Sequence, residues 1–132
     1  MNKYLLDTNI CIYYMKGHPI LLKKFEEVDI SNCFISEITV AELKFGVENS
    51  KYKTKNKENI LNLISSLQIL PIFGSLDIYA KEKARLKNTG MLIDDFDLLI
   101  GATAVTNKLI LVTNNLGHFE RIKGIKLENW LK

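Results

Sequence analysis

Ile93-Asp94-Asp95-Phe96-Asp97-Leu98-Leu99-Ile100-Gly101-Ala102-Thr103-Ala104-Val105, followed almost at once by Lys108-Leu109-Ile110-Leu111-Val112-Thr113-Asn114-Asn115, decides how this chain folds. The first stretch reads as an apolar helix with three aspartates at its front. The second is a short apolar run that ends in polar residues, which reads as a central, buried strand. A helix feeding a buried strand is the building unit of an α/β layer structure. At about 100° per residue, Asp97 falls between Ile100, Gly101 and Ala104, on a core- or cleft-facing side whose small residues let another element approach. A carboxylate buried there without a partner is costly, so it needs a reason. Asp94 and Asp95 fall in the first turn, where the helix dipole favours negative charge. Asp95 points about 160° away from Asp97 on an ideal helix.

Outward from this unit, the same alternation continues. Lys3-Tyr4-Leu5-Leu6 reads as a short buried strand that Asp7 ends. Thr8 or Asn9 can cap the helix that runs through Tyr13 and Tyr14 and stops at Gly17. Pro19 suits the first turn of a second helix over residues 20–28. Cys33-Phe34-Ile35 is a strand, and residues 36–39 lead into a helix reaching about Val47. On that helix Lys44 and Glu48 mark the solvent face, and Glu42 lies about 140° from their centre. Residues 50–57 are polar, with lysines at 51, 53, 55 and 57, and read as a solvated loop. Residues 59–67 are an amphipathic helix. Ile69-Leu70-Pro71-Ile72 is a strand that Pro71 places at an edge. Residues 76–86 are helical with a basic face of Lys81, Lys83, Arg85 and Lys87. Lys126-Leu127-Glu128 reads as a last strand. The expected architecture is an α/β/α sandwich around a mainly parallel sheet, with residues 1–132 forming one domain.

Composition narrows the function classes. The chain has 132 residues, 47% of them apolar and 25% charged, with a net charge of +3. No run is long enough to span a membrane, and the apolar start is broken at once by Asp7 and Asn9, so a cytoplasmic protein without a leader is expected. Cys11 and Cys33 stand in apolar contexts without CxxC spacing and read as reduced core residues. His18 and His118 are isolated and make no metal-ligand pair, which argues against zinc. If several carboxylates gather at one site, the rest of the surface is more basic than the net charge suggests. That suits a polyanionic substrate held over a cation.

The candidate chemistry follows from strand ends. In open parallel sheets, ligands bind beyond the carboxyl ends of the strands. Two strands end there in polar residues, Leu5-Leu6-Asp7-Thr8-Asn9 and Leu111-Val112-Thr113-Asn114-Asn115. With Glu42 and Asp97 from the apolar helix faces, Asp7 completes a set of three acids. Two carboxylates 5 Å apart repel by about 3 kcal/mol at an effective dielectric near 20, so such a set holds protons or a cation. Oxygen-only donors select Mg²⁺ or Mn²⁺. The implied reaction is attack of a metal-activated water on a phosphodiester. No Ser-His or Cys-His pair competes, and no glycine-rich phosphate loop is present.

Five stretches together resemble the PIN-domain ribonuclease toxins of the VapC type: Leu5-Leu6-Asp7-Thr8-Asn9-Ile10; Thr39-Val40-Ala41-Glu42-Leu43; Asp95-Phe96-Asp97-Leu98-Leu99-Ile100; Val112-Thr113-Asn114-Asn115 with Phe119-Glu120-Arg121; and Leu127-Glu128-Asn129-Trp130. They cover essentially the whole chain, in order. The resemblance implies a Mg²⁺- or Mn²⁺-dependent endoribonuclease, a homodimer, an RNA substrate and a small cognate antitoxin that wraps the toxin and blocks its acidic pocket. By position it makes Asp7, Glu42 and Asp97 the metal-binding and catalytic acids. Thr8, Thr113 and Asn115 support the pocket, and Asp95 is a secondary candidate. Many members of the family carry a fourth acid where this chain has Asn115. That change removes a charge and leaves open whether one metal or two would bind. Two other functions fit parts of the pattern: a Mg²⁺-dependent phosphotransfer domain with Asp7 as acceptor, and a non-catalytic PIN-like module that binds RNA or protein. The first lacks the second aspartate two residues after Asp7 that phosphatase-type motifs use.

Overall fold

The computed structural model describes residues 2–132. Its centre is a five-stranded, all-parallel sheet in the order β3-β2-β1-β4-β5. The strands are β1 (Tyr4–Leu6), β2 (Cys33–Ser36), β3 (Gln68–Leu70), β4 (Ile110–Val112) and β5 (Lys126–Glu128). The first strand of the chain is therefore the middle of the sheet. Chain order runs outward from β1 to β2 and β3, then returns to the other side of β1 for β4 and β5. The reversal falls between β1 and β4, so the crevice at their carboxyl ends is the switch point where open α/β sheets take ligands.

Helices cover both faces. One face carries α1 (Thr8–Met15), α2 (Pro19–Glu27), α3 (Glu37–Glu48) and α4 (Lys53–Ser66). Their apolar residues Ile10, Leu21, Leu43, Val47, Ile60 and Leu63 join Leu6, Ile35 and Val112 in one core. The other face carries α5 (Leu76–Asn88), α6 (Asp95–Thr106) and the short α7 (Leu116–Phe119). Here Leu86, Leu98, Ile100 and Phe119 pack with Leu5, Phe34 and Leu111. The two-residue period of a strand sends Leu5 to one core and Leu6 to the other, and likewise Leu111 and Val112. Near the carboxy terminus, buried Trp130 sits edge-on to Tyr4 and Phe25, and its indole N–H donates to Glu128 Oε1 at 3.0 Å. Among the described residues, no helix is long and apolar enough to cross a membrane. Cys11 and Cys33 are free and buried, as their context implies.

The structure departs from the sequence reading in four places. Residues 53–57 are not loop but the first turns of α4. Nothing apolar in them reports the helical phase, which Ile60 and Leu63 set two turns later. The lysines at 53, 55 and 57 then point about 200° apart in succession and form no single-sided patch. Pro71 lies just outside β3, which ends at Leu70, although β3 is at the edge as expected. β4 begins at Ile110 rather than Lys108, because Lys108 takes a left-handed conformation (φ 56°) that ends α6. Leu109 N–H then reaches back to Ala104 C=O at 2.9 Å, closing the helix end in a Schellman-type turn. Finally, Asp7 itself caps α1, in place of Thr8 or Asn9.

Candidate active site

Asp7 follows β1 directly and is buried. Its backbone N–H still belongs to the sheet, donating to Val112 C=O at 2.9 Å. Its Oδ1 accepts the Thr8 N–H at 2.8 Å, which caps α1. Its Oδ2 accepts the Thr113 hydroxyl, also at 2.8 Å. Thr113 in turn leaves β4, with its own N–H bonded to Glu128 C=O at 3.0 Å. The two strand ends on either side of the switch point are thus tied through one carboxylate.

Burial pushes the Asp7 carboxyl up from 3.8 to about 6. The Thr113 and Thr8 hydrogen bonds pull it back, and the negative charges of Asp97 and Glu42 add to the rise. Those last two contributions place Asp97 and Glu42 in the electrostatic field of Asp7. Glu42 stands on α3 and is half-buried, with Oε1 accepting the Thr8 hydroxyl at 2.7 Å. The buried Thr39 hydroxyl lies 3.1 Å from that of Thr8, one helical turn before Glu42. A hydroxyl has a single proton. Thr8 therefore gives its proton to the carboxylate and receives that of Thr39. This Thr39–Thr8–Glu42 relay was not legible in the sequence beyond the fact that residues 39 and 42 share a helix face.

Asp97 projects from the first turn of α6, half-buried. Burial raises its carboxyl pKa, the Asp94 charge adds to that, and His118 opposes it. His118, on α7, brings Nδ1 to 3.7 Å from Asp97 Oδ2. Asn115 reaches the same imidazole, with Nδ2 2.9 Å from Nδ1. Its backbone N–H donates to the Thr113 hydroxyl oxygen at 3.0 Å. The sequence treats His118 as an isolated histidine. Only its spacing of one helical turn from Asn115 hints that it belongs here. α7 can lie this close because α6 carries Gly101 beneath it: a β-carbon at Gly101 would collide with Ile122 Cδ1, in the segment that follows α7.

Asp95 is not part of the pocket. It is exposed, and its Oδ1 accepts the Tyr79 hydroxyl at 3.0 Å and pairs with Lys83 Nζ at 2.9 Å. The helical pitch that turns Asp97 inward turns Asp95 toward α5. Asp94 is the α6 cap, accepting the Phe96 N–H at 3.0 Å. Among the described residues, no three acidic, histidine or cysteine side chains close on one point as a finished metal cage. The arrangement gathers donors around a crevice: two carboxylates and an imidazole from the switch point and α6, and a third carboxylate held over it from α3.

A PIN-domain family model matches residues 4–125. Ribonuclease VapC2 of Haemophilus influenzae is 41% identical over 99% of this chain and 100% of its own length. The tRNA(fMet)-specific endonuclease VapC of Salmonella typhimurium is 35% identical over 98% of this chain and 99% of its own. The DNA-bound VapBC structure from Salmonella typhimurium contains a chain that superposes with a TM-score of 0.92, at 35% identity, over 98% of this chain and 99% of that one. A chain of VapBC2 from Rickettsia felis, bound to a promoter DNA fragment, gives 0.88 at 35% identity over 96% and 98%. This chain belongs to the PIN-domain family, among the VapC ribonucleases.

Proposed function

We propose that the chain is a divalent-metal endoribonuclease, the toxin of a toxin–antitoxin pair, working with Mg²⁺ or Mn²⁺ in the cytoplasm as a single domain. The observation that carries this reading is Asp7, a buried carboxylate at the sheet's switch point, facing two further acids. Its relatives named as ribonucleases and its likeness to chains in VapBC complexes support the activity and the partner. PIN-domain ribonucleases in general depend on a divalent metal. The donor set fits one: mutually repelling, largely desolvated carboxylates gain most from a hard cation with oxygen preference.

In the mechanism, Asp7 and Asp97 hold the cation, and Glu42 completes the set and orients the attacking water. When bound, the cation supplies a water of lowered pKa and neutralises charge building on the phosphate. Thr8 fixes Glu42 and Thr113 fixes Asp7, so neither acid reorganises as the substrate reacts. Both Asp7 oxygens already accept hydrogen bonds, which disfavours Asp7 as a covalent phosphate acceptor. The antitoxin has an apolar groove of about 580 Å³ between α1, α3 and α4 that ends at Glu42, so a segment lying in it reaches the pocket. The homodimer has an apolar face: Phe73 is 84% exposed, Phe45 68% and Phe96 44%, on a 3-10 turn, α3 and α6, which pack against one another.

The test is RNA cleavage by purified, antitoxin-free protein with Mg²⁺ or Mn²⁺, then with EDTA. Cleavage that EDTA stops, and that falls at least about a hundredfold in a folded Asp97→Asn variant, is the expected result. Full activity of that variant overturns the assignment.

A further inference from the structure

His118 is the one nitrogen donor at the rim of the crevice, and its contacts are unusual for a surface histidine. Nδ1 lies 2.9 Å from Asn115 Nδ2 and 3.7 Å from Asp97 Oδ2. An amide NH₂ group only donates, so in that bond Nδ1 is a bare lone pair and the ring proton is assigned to Nε2. That lone pair then faces a carboxylate oxygen. Two acceptors facing each other make a poor contact on their own and a good one with a cation between them. Two donors bound to one ion through bonds of about 2.1 Å are at most about 4.2 Å apart, and the observed separation lies inside that span.

We propose that His118 is a nitrogen ligand of the cation held at Asp97, and that Asn115 orients the ring until the metal takes the lone pair. This rests on the metal-nuclease reading above. It gives Asn115 a task where many relatives of this type carry a fourth acid: the amide presents a neutral donor in place of a negative one. An imidazole added to carboxylates also changes which ion is preferred. Oxygen-only sets suit Mg²⁺, whereas a nitrogen ligand moves preference toward Mn²⁺ and the later first-row ions.

The opposing account is a plain ion pair, in which protonated His118 is a counter-ion that the metal displaces. The two differ in whether nitrogen touches the metal, which cleavage rates do not report. The experiment is Mn²⁺ titration of the purified, full-length protein by EPR, followed by pulsed EPR of the bound ion to detect ¹⁴N coupling. Directly coordinated nitrogen in the wild type, lost in His118→Gln, is the expected result. Mn²⁺ affinity should fall roughly tenfold in that variant, with Mg²⁺ affinity changing far less. Asn115→Ala keeps the imidazole and should retain the nitrogen signal, with a smaller loss of Mn²⁺ affinity. Near-ultraviolet circular dichroism confirms that both variants are folded. Bound Mn²⁺ without nitrogen coupling, or coupling that survives in His118→Gln, overturns the proposal alone. Failure of the wild type to bind Mn²⁺ overturns the metal reading beneath it as well, and the titration reveals that before any spectroscopy.

Discussion

The Thr113 hydroxyl donates to Asp7 Oδ2 at 2.8 Å, joining residues 106 positions apart in the chain. The bond holds an ionised carboxylate in a buried position, because it favours the charged form against burial. Thr113→Val keeps the side-chain shape and removes the donor. It should cost about 1–3 kcal/mol in urea denaturation near neutral pH. The Asp7 carboxyl should titrate higher in the variant, so RNA cleavage should lose more at pH 6 than at pH 8. A parallel drop at both values would assign Thr113 a purely structural role.

Stability of the metal-free protein should fall as the pH rises from 4 to 7. Asp7 titrates at about 6 in the folded chain against 3.8 for an ordinary aspartate. Between those values the folded state keeps a proton that the unfolded state has released. The contribution is full below the unfolded value and is lost as pH rises through the folded one, about 3 kcal/mol in all. Asp97, also raised, acts in the same direction. Glu82, held low by Arg85, acts in the opposite one: its stabilisation is present above the ordinary carboxylate range and is lost in acid. Asp7→Asn isolates the first effect. In EDTA it should match the wild type at pH 4 and exceed it by about 2–3 kcal/mol at pH 7. Equal stabilities at both pH values would refute the shift.

Glu82 holds the segment after α7 in place. Its buried carboxylate accepts Arg85 at 2.9 and 2.7 Å and the Lys123 N–H, and Arg85 Nη2 also donates to Arg121 C=O at 2.7 Å. Glu82→Ala should cost about 2–3 kcal/mol, in line with hydrogen bonds to a charged group. Amide hydrogen exchange should speed up over residues 119–124 and leave β1 protected. Uniform acceleration across the sheet would mean that Glu82 supports the whole core.

Gly101 sets how near that segment comes to α6. Gly101→Ala gains about 1 kcal/mol of helix propensity and meets Ile122 Cδ1, with overpacking that costs about 1–3 kcal/mol. A small net loss of thermal stability is expected. Adding Ile122→Val removes the clashing methyl and should recover much of it. A double variant no better than Gly101→Ala would locate the strain elsewhere.

Sequence was informative where one residue obeys one local rule. β1 and β4 stand out as apolar runs ending in polar residues, and the phase of α6 separates Asp97 from Asp95. The start of α4 was hidden because no apolar residue before Ile60 reports its phase. Asp95 faces the pocket in no helical register, and its partners Tyr79 and Lys83 come from α5, which only the tertiary fold brings alongside. His118 escaped notice for the same reason. Nothing near it in sequence is acidic except Glu120, and it meets Asp97 only because Gly101 and Ile122 let α7 settle on α6.

The placement of β1 between β2 and β4 has a consequence for the moment of synthesis. The pocket's first wall, Asp7, is translated at the outset, and the hydroxyl that anchors it arrives 106 residues later. At about 5–20 residues per second, that interval is on the order of 5–20 seconds. Through it the nascent chain has the acid but not the strand that flanks it, and Asp97 is itself a late arrival. A protein that cuts RNA is thereby assembled with its cutting site last, so that each copy completes its own synthesis before it can threaten the translation machinery producing it.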